Sequence, residues 1–488
     1  MLPPALPERP ALRLGTAALA GAAGVLCFQP FGLFWLAPLV CLLLFTLLRQ
    51  ADGPRTAAWL GFAFGLGFFL VGVSWIYVSL SVFGGMPVWL AAPATFLFCA
   101  LLAAFYGAIG WACRRWLPER HLFQALWFAA LVGLADWSRS WVFTGFPWLA
   151  WGYSQSPPSP LAGFAPLVGV FGLSLAVALA GALLGRWRSG LAVTVLLFGA
   201  GGALQRVAWT EPAGEPLTVA LIQGNVGQEM KWRPEQFFRT LALYRDLVEK
   251  HPARLVVLPE TAVPAFLDAV PPEFLADLQA LARRNRGDLL FGTVTGSGER
   301  YWNSAVSLGT APTQVYNKSH LVPFGEFIPA GFSWFLEWAT IPMSQFARGE
   351  QPQAALEIAG RRVAPNICYE DVFGDEIIRA LPAAGLLVNL SNTAWYGRSF
   401  AQPQHLQIAQ LRALETGRPM LRATNTGMTA VVAPDGTVQA SLPAFTQAVL
   451  TAEVRAYQGM TPFARWGNGG FLALALVALA ASRRFGRR

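Results

Sequence analysis

The chain has 488 residues, of which 54% are hydrophobic and 13% charged, with a formal net charge of +9 and a mean hydropathy of +0.43. Globular chains carry about 25% charged residues, so this composition excludes an ordinary water-soluble protein and points to a membrane. The positive balance is almost all arginine, the only lysines being Lys231, Lys250 and Lys318; no basic patch with interleaved aromatics argues for nucleic acid, and in a membrane chain arginine is first a topology signal.

Arg9 and Arg13 precede an apolar run with no small-residue cleavage site after it, which reads as a retained membrane segment. Apolar runs lie at 12–28 and 31–48, split by Gln29-Pro30-Phe31-Gly32, then at 57–80, 87–113, 122–135, 161–184, 190–209 and 467–481. A span needs roughly 17–25 residues. The runs predict a polytopic α-helical membrane domain of about eight spans, seven of them in a membrane domain at 1–209 and one in a C-terminal segment at 461–488. A polar block at 210–460 separates the two. Arg9 and Arg13, Arg49 and Arg55, Arg114, Arg115 and Arg120, Arg186 and Arg188, and Arg483, Arg484, Arg487 and Arg488 fall in alternate loops, with Arg139 the exception. By the positive-inside rule both termini are cytoplasmic and the polar block is periplasmic. The loop 136–160 carries Trp137, Trp141, Phe143, Phe146, Trp148, Trp151 and Tyr153 and reads as an interfacial aromatic belt in preference to a lipid-substrate lining.

From 216 to 455 short β-rich runs alternate with amphipathic helices. Strands are predicted at 217–223, 255–258, 289–295, 304–308, 363–367, 385–390, 429–433 and 448–453, and helices at 234–250, 272–284 and 404–415. This alternation predicts an α/β sandwich, and no internal repeat is visible.

Four cysteines, Cys27, Cys41, Cys99 and Cys113, lie in or beside apolar runs, where cysteine is usually a small hydrophobe. Only Cys368 lies in the polar block. Neither a disulfide framework nor a cysteine metal site is expected, and His121, His251, His320 and His405 are too scattered for one. Cys368 ends an apolar strand, and the apolar positions of 372–381 recur at helical spacing after it. A helix N-terminus favours a thiolate, whereas the adjacent Glu370 and Asp371 oppose it, so a cation is needed nearby. Two further polar residues end apolar strands: Glu260, after Leu258-Pro259, and Lys318, after Tyr316-Asn317. A thiol attacking an ester or amide needs a base, which a carboxylate supplies, and the oxyanion that follows needs a fixed cation. Glu326 and Glu370 are candidates to hold Lys318 and orient a leaving group.

The Pro-Glu-Thr around Glu260, Asn317 to Glu326 (Asn-Lys-Ser-His-Leu-Val-Pro-Phe-Gly-Glu) and Asn366 to Asp371 (Asn-Ile-Cys-Tyr-Glu-Asp) resemble the nitrilase superfamily with its Glu-Lys-Cys triad. Together with the apolar spans, with Asn392-Thr393-Ala394-Trp395-Tyr396-Gly397 and with Arg418 to Gly427, the chain is similar to the apolipoprotein N-acyltransferase family of the bacterial inner membrane. The resemblance implies an αββα sandwich, with Glu260 as base, Lys318 as oxyanion stabiliser and Cys368 as nucleophile. It also implies supporting roles for Glu326, Tyr369, Glu370, Trp232 and Trp395, and no cofactor. Position 393 is Thr where the resemblance implies an acid. The expected reaction moves an acyl chain from a membrane phospholipid, through a cysteine thioester, to the N-terminal amine of a diacylglyceryl-cysteine on a lipoprotein. A membrane-tethered C–N amidohydrolase of the same superfamily is the alternative. A transporter is disfavoured, because ionisable residues are absent from the middles of the predicted spans. The Trp- and Phe-rich stretch 332–344 fits a loop over the site and equally a membrane-dipping or core role.

Overall fold

The computed structural model describes residues 9–486, except 232, 299, 330 and 332–344. The chain divides into two units: a helical one of Met1–Tyr77, Val88–Ala208 and Arg465–Arg488, and a second of Val78–Pro87 and Trp209–Ala464.

The helical unit has a helix at each of the eight apolar runs: Pro10–Gly24, Ala37–Arg49, Pro54–Gly72, Val88–Arg115, His121–Ser138, Ala165–Leu184, Trp187–Leu204 and Gly469–Phe485. Four stretches, Pro10–Cys27, Pro54–Gly72, Val88–Arg115 and Pro160–Leu184, are long and apolar enough to cross a bilayer; Phe34–Arg49 and Arg188–Leu204 are apolar but shorter. The expected eight spans are therefore eight helices, of which four have the length and hydropathy of a full crossing. Polar residues interrupt others of the set, such as Gln124 and Asp136 in His121–Ser138. Large apolar side chains point outward, among them Leu19, Trp59, Leu97, Leu196 and Val477, as lipid-facing residues do. Helix contacts rest on small residues. A Cβ on Gly61 would lie 2.1 Å from the Tyr106 carbonyl oxygen, and one on Gly67 would lie 2.0 Å from that of Ala18.

The aromatic loop is not simply an interfacial belt. Trp141 and Phe143 are exposed, but Trp148, Trp151 and Tyr153 are buried. The cause is a buried ion pair. Arg139 contacts Asp136 at 2.7 Å and donates to the Phe146 and Trp148 carbonyls, while Asp136 accepts from the Trp151 N–H at 2.8 Å. This pair folds the loop inward, where the Trp151 ring stacks on Phe68 at 5.2 Å.

The second unit holds twelve strands: β1 (Thr210–Gln223), β2 (Leu255–Val257), β3 (Asp288–Ser297), β4 (Arg300–Gly309), β5 (Val315–Asn317), β6 (Leu356–Ile358), β7 (Arg361–Ile367), β8 (Leu386–Ser391), β9 (Met420–Thr424), β10 (Ala430–Val432), β11 (Val438–Ser441) and β12 (Ala448–Gly459). They form two six-stranded sheets, ordered β12-β1-β2-β3-β4-β5 and β11-β10-β9-β8-β7-β6. The period of two sorts each strand between two layers. Val219 and Leu221 join Val257, Val363, Ile367, Val388 and Leu421 in a core between the sheets. Ala220 and Ile222 face the other way, against the helices Pro234–Lys250 and Pro272–Arg284. Helix Ala401–Thr416 covers the outer face of the second sheet through Leu406, Ala409 and Ala413. Each fully buried Leu or Val contributes about 1.5–3 kcal/mol. The result is the expected αββα sandwich.

β6, β9 and β11 escape the sequence reading. β6 and β11 are short and lie at a sheet edge, and β9 carries the buried Arg422 in a run that looks polar. The helix expected at 372–381 is instead a 3₁₀ turn Cys368–Val372, a short helix Gly374–Ile377 and a second turn Ile378–Ala380. Directly before that stretch the side chains of Glu370 and Asp371 are held by partners described below, in the 3₁₀ turn that opens the segment.

Candidate active site

Glu260 follows β2 through Leu258-Pro259. Its Oε1 accepts from Asn303 Nδ2 at 2.8 Å and from Lys318 Nζ at 3.4 Å, and its Oε2 accepts from the Asn392 backbone N–H at 2.9 Å. Lys318 follows β5, and its backbone N–H donates to the Asn303 carbonyl at 2.8 Å. Its ammonium is 1% exposed and lies 2.9 Å from Glu326 Oε1. Glu326 is fixed in turn by Asn303 Nδ2 at 2.9 Å and the Val322 N–H at 2.9 Å. Burial alone would lower the Lys318 pKa, but Glu326 and Glu260 outweigh it and hold the group well above its ordinary value. The side chain is a permanent cation.

Cys368 follows β7 with φ of +54°, a left-handed conformation that a non-glycine residue adopts at a cost of about 1–3 kcal/mol. The kink turns the sulfur out of the strand direction, close enough to Glu260 and Lys318 for both charges to act on it. Burial pushes the thiol up to about 12. Glu260 adds to that rise, while Lys318 and the Ser391 hydroxyl oppose it. The expectation of a thiolate favoured by a helix N-terminus is thus corrected. A single 3₁₀ turn gives little dipole, and burial dominates. With its pKa raised in this way Cys368 rests as a thiol, and any attack by it would need a base.

Glu370 does something other than hold Lys318. It accepts from the Ile367 N–H at 2.6 Å, the Ser319 N–H and hydroxyl at 2.7 and 2.8 Å, the His320 N–H at 3.1 Å and the Tyr316 hydroxyl at 3.0 Å. Burial raises its pKa, against these backbone donors and the Lys318 charge. One carboxylate thereby bolts the cysteine turn to the lysine loop. Asp371 points elsewhere, into a fully buried contact with Arg422 and His405, so its charge does not reach the sulfur unopposed. Tyr369 is buried and packs on Phe373 and His320. The Trp395 carbonyl accepts from the Ser79 hydroxyl at 2.8 Å, and its ring meets Phe83 at 5.7 Å. The Thr393 side chain is buried and faces Gly427, where a Cβ would lie 2.4 Å from its Oγ1. Trp232 and the Trp- and Phe-rich stretch 332–344 lie outside the described residues.

Residues 20–183 match the apolipoprotein N-acyltransferase N-terminal domain, and residues 218–460 match the carbon-nitrogen hydrolase family. A curated apolipoprotein N-acyltransferase of Nitrosomonas europaea is 48% identical across 96% of both chains. Those of Ralstonia nicotianae and Chromobacterium violaceum are 46% and 45% identical, each over 96% of this chain and 94% and 95% of their own. The chain belongs to the apolipoprotein N-acyltransferase family. As a member of that family it is an acyltransferase, and its carbon-nitrogen hydrolase domain is the sandwich that carries the site.

Sequence reasoning missed four residues of this candidate site. Asn303 bridges Glu260 and Glu326 with one amide nitrogen. Asn392 supplies the N–H to Glu260 Oε2. Ser391 faces the sulfur from the end of β8. Lys231, 3% exposed, donates to the Glu260 carbonyl and the Thr261 hydroxyl. Burial pulls its pKa down to about 8, against the opposing pull of Glu260 and Cys368. Lysine is rare in this sequence, but no local pattern marks Lys231 for burial.

Proposed function

We propose that Cys368 attacks the ester of a membrane phospholipid while Glu260 takes the thiol proton and Lys318 receives the oxyanion. The S–C bond forms, and the proton passes from Glu260 to the departing alkoxide of a lysophospholipid. The thioester is then attacked by the N-terminal amine of a diacylglyceryl-cysteine on an apolipoprotein. Glu260 takes the amine proton, an amide forms, and the sulfur leaves and is reprotonated. A two-step transfer of this kind predicts ping-pong kinetics.

The observation that carries the reading is a buried Cys368, its thiol pushed up by burial, beside a carboxylate and a lysine that contact each other at 3.4 Å. Such a thiol reacts only with a base in place, and both helpers stand beside it. The name of the relatives supports a lipoprotein acceptor. Bilayer lipid as donor is supported by the apolar outward faces of the helical unit.

In the same reading all eight helices lie in a bacterial inner membrane, seven in a membrane domain at 1–209 and one in the segment 461–488. The domain at 210–460 faces the periplasm. The arginine alternation supports this topology; a reporter fused near residue 300 that works only in the cytoplasm would overturn it. Incubation with phospholipid followed by mass spectrometry is expected to find an acyl adduct on Cys368, and a diacylated lipopeptide is expected to discharge it. Cys368→Ala is expected to abolish both while leaving the unfolding temperature unchanged. Ammonia release from small amides without any acyl adduct would instead favour the amidohydrolase.

A further inference from the structure

The three lysines meet three different fates. Lys250 is exposed and pairs with Asp246 across one helical turn. Lys318 is buried against two carboxylates. Lys231 is buried with no carboxylate in contact among the described residues. Its Nζ instead donates to the peptide carbonyl of Glu260 at 3.0 Å and to the Thr261 hydroxyl at 2.6 Å. A buried ammonium without a contacting counter-ion is costly, and natural folds keep one only where something offsets the cost.

The backbone that Lys231 grips is itself strained. Thr261 has φ of +44°, unfavourable for a β-branched residue. The opposite side of the turn is equally tight. A Cβ on Gly292 of β3 would lie 2.4 Å from the Thr261 nitrogen and 2.7 Å from the Glu260 Cα. The peptide between Glu260 and Thr261 is therefore held between a bare glycine backbone and an ammonium. Its orientation fixes the direction in which the Glu260 carboxylate leaves the chain.

We propose that Lys231 is a positioning residue for the base: its ammonium clamps the Glu260 carbonyl and the Thr261 hydroxyl, and so aims the Glu260 carboxylate at the thiol of Cys368. The proposal rests on Glu260 acting as the base. Lys231 also places a second positive charge near the carboxylate and the sulfur, which adds to the field of Lys318.

The test uses the full-length protein in detergent with labelled phospholipid and a diacylated lipopeptide. Lys231→Met, close to lysine in length, is expected to lower kcat by ~10–100-fold with KM for both substrates within about threefold, as loss of an interaction made in the transition state does. Alkylation of Cys368 by iodoacetamide without substrate is expected to slow in the same variant, toward the rate of Glu260→Gln. Thr261→Val, which removes only the hydroxyl, is expected to lose about 3–10-fold, while Thr261→Ser retains turnover. This pair decides the matter if Lys231→Met does not fold. Wild-type kcat and alkylation in both Lys231→Met and Thr261→Val, with Glu260→Gln crippled, overturns the clamp. Wild-type behaviour of Glu260→Gln overturns the reading beneath it.

Discussion

The two sheets of the sandwich share one pairing pattern and carry different chemistry on it. Taken from β12, neighbouring strands of the first sheet pair antiparallel, parallel, parallel, antiparallel and antiparallel. Taken from β6, the second sheet runs through the same series. β1 therefore corresponds to β7, and β2 to β8. Yet Glu260 follows β2 where Asn392 follows β8, and Cys368 follows β7 where the chain after β1 bears no candidate reacting group. The first sheet contributes charge on long side chains, and those need tethers: Asn303 to Glu260 and Glu326, Glu326 to Lys318, Lys231 to the Glu260 peptide. The second contributes atoms whose positions the backbone sets, namely the kinked Cys368, the Ser391 hydroxyl and the Asn392 N–H. Charge can be tuned by neighbours after folding, whereas a sulfur that must meet a carbonyl carbon cannot wander by an ångström.

If this division is right, variants on the first sheet should spare the structure and remove the rate. Glu260→Gln keeps the shape and hydrogen-bonding reach of the side chain but takes away the base. With the thiol held at about 12 by burial, a loss on the order of 10³-fold in acyl-enzyme formation is expected. Lys318→Met removes the oxyanion's cation and is expected to cost on the order of 10²–10³-fold. It also leaves Glu260 and Glu326 facing each other without a counter-charge, so some loss of stability accompanies it. Single-turnover formation of the thioester measures both. Rates within tenfold of wild type for Glu260→Gln would mean that the first sheet's charge is structural and that the comparison fails.

The first sheet was largely legible in the sequence, and the second only in part. Helices Pro234–Lys250 and Pro272–Arg284 fall on the bounds that the apolar periodicity predicts, because each buries one stripe against a sheet and leaves the other in water. Glu260 and Lys318 were visible as polar residues ending apolar strands. Helix Ala401–Thr416 is different. It buries Gln402, Gln404, His405, Gln407, Gln410, Arg412 and Glu415 as well as its apolar residues, so periodicity undersells its burial. The broken helix after Cys368 was misread for a related reason. Local spacing favours a helix there, but the segment opens with a 3₁₀ turn in which Glu370 and Asp371 answer to partners about 50 residues away in sequence, at Ser319 and Arg422. The Asn303 tether and the Lys231 clamp are contacts between distant chain segments, which no local pattern encodes.

Variants beneath the second sheet's site should reverse the signature, moving stability more than chemistry at first. Asp371 is fully buried between Arg422 and His405. Asp371→Asn leaves the Arg422 guanidinium buried without its counter-charge, a loss of about 3–5 kcal/mol. It is expected to lower the unfolding temperature in detergent, and to slow turnover only as the Cys368 turn loosens. The same cluster sets an acid limit. Burial lowers the His405 pKa from its ordinary 6.5, with Asp371 opposing and Arg422 reinforcing the shift. Below pH 6.5 the unfolded chain takes up a proton that folded His405 refuses, so stability falls as pH drops through that region and this group contributes nothing above it. His405→Gln is expected to flatten that acid slope. An unchanged slope would assign the acid loss to other groups.

The smallest expected effect tests how far the second sheet's geometry extends along the chain. Ser79 lies in Val78–Pro87, a segment that sits in sequence between two helices of the helical unit but packs with the sandwich. Its hydroxyl donates to the Trp395 carbonyl at 2.8 Å, and Phe83 meets the Trp395 ring. Trp395 belongs to the turn Thr393–Tyr396, directly after the Asn392 whose N–H holds Glu260 Oε2. One neutral hydrogen bond contributes about 1 kcal/mol, and only part of that is transmitted through a turn already fixed by Asn392 and Gln228. Ser79→Ala is therefore expected to lower kcat by about two- to fivefold, and Phe83→Ala by somewhat more, with KM for the acyl donor rising if the segment also touches lipid. A drop of that size in both would make Val78–Pro87 the outermost part of the base's support. No change in either would end the support at Asn392, leaving a site on the second sheet that is rigid because of its own backbone and its buried ion cluster.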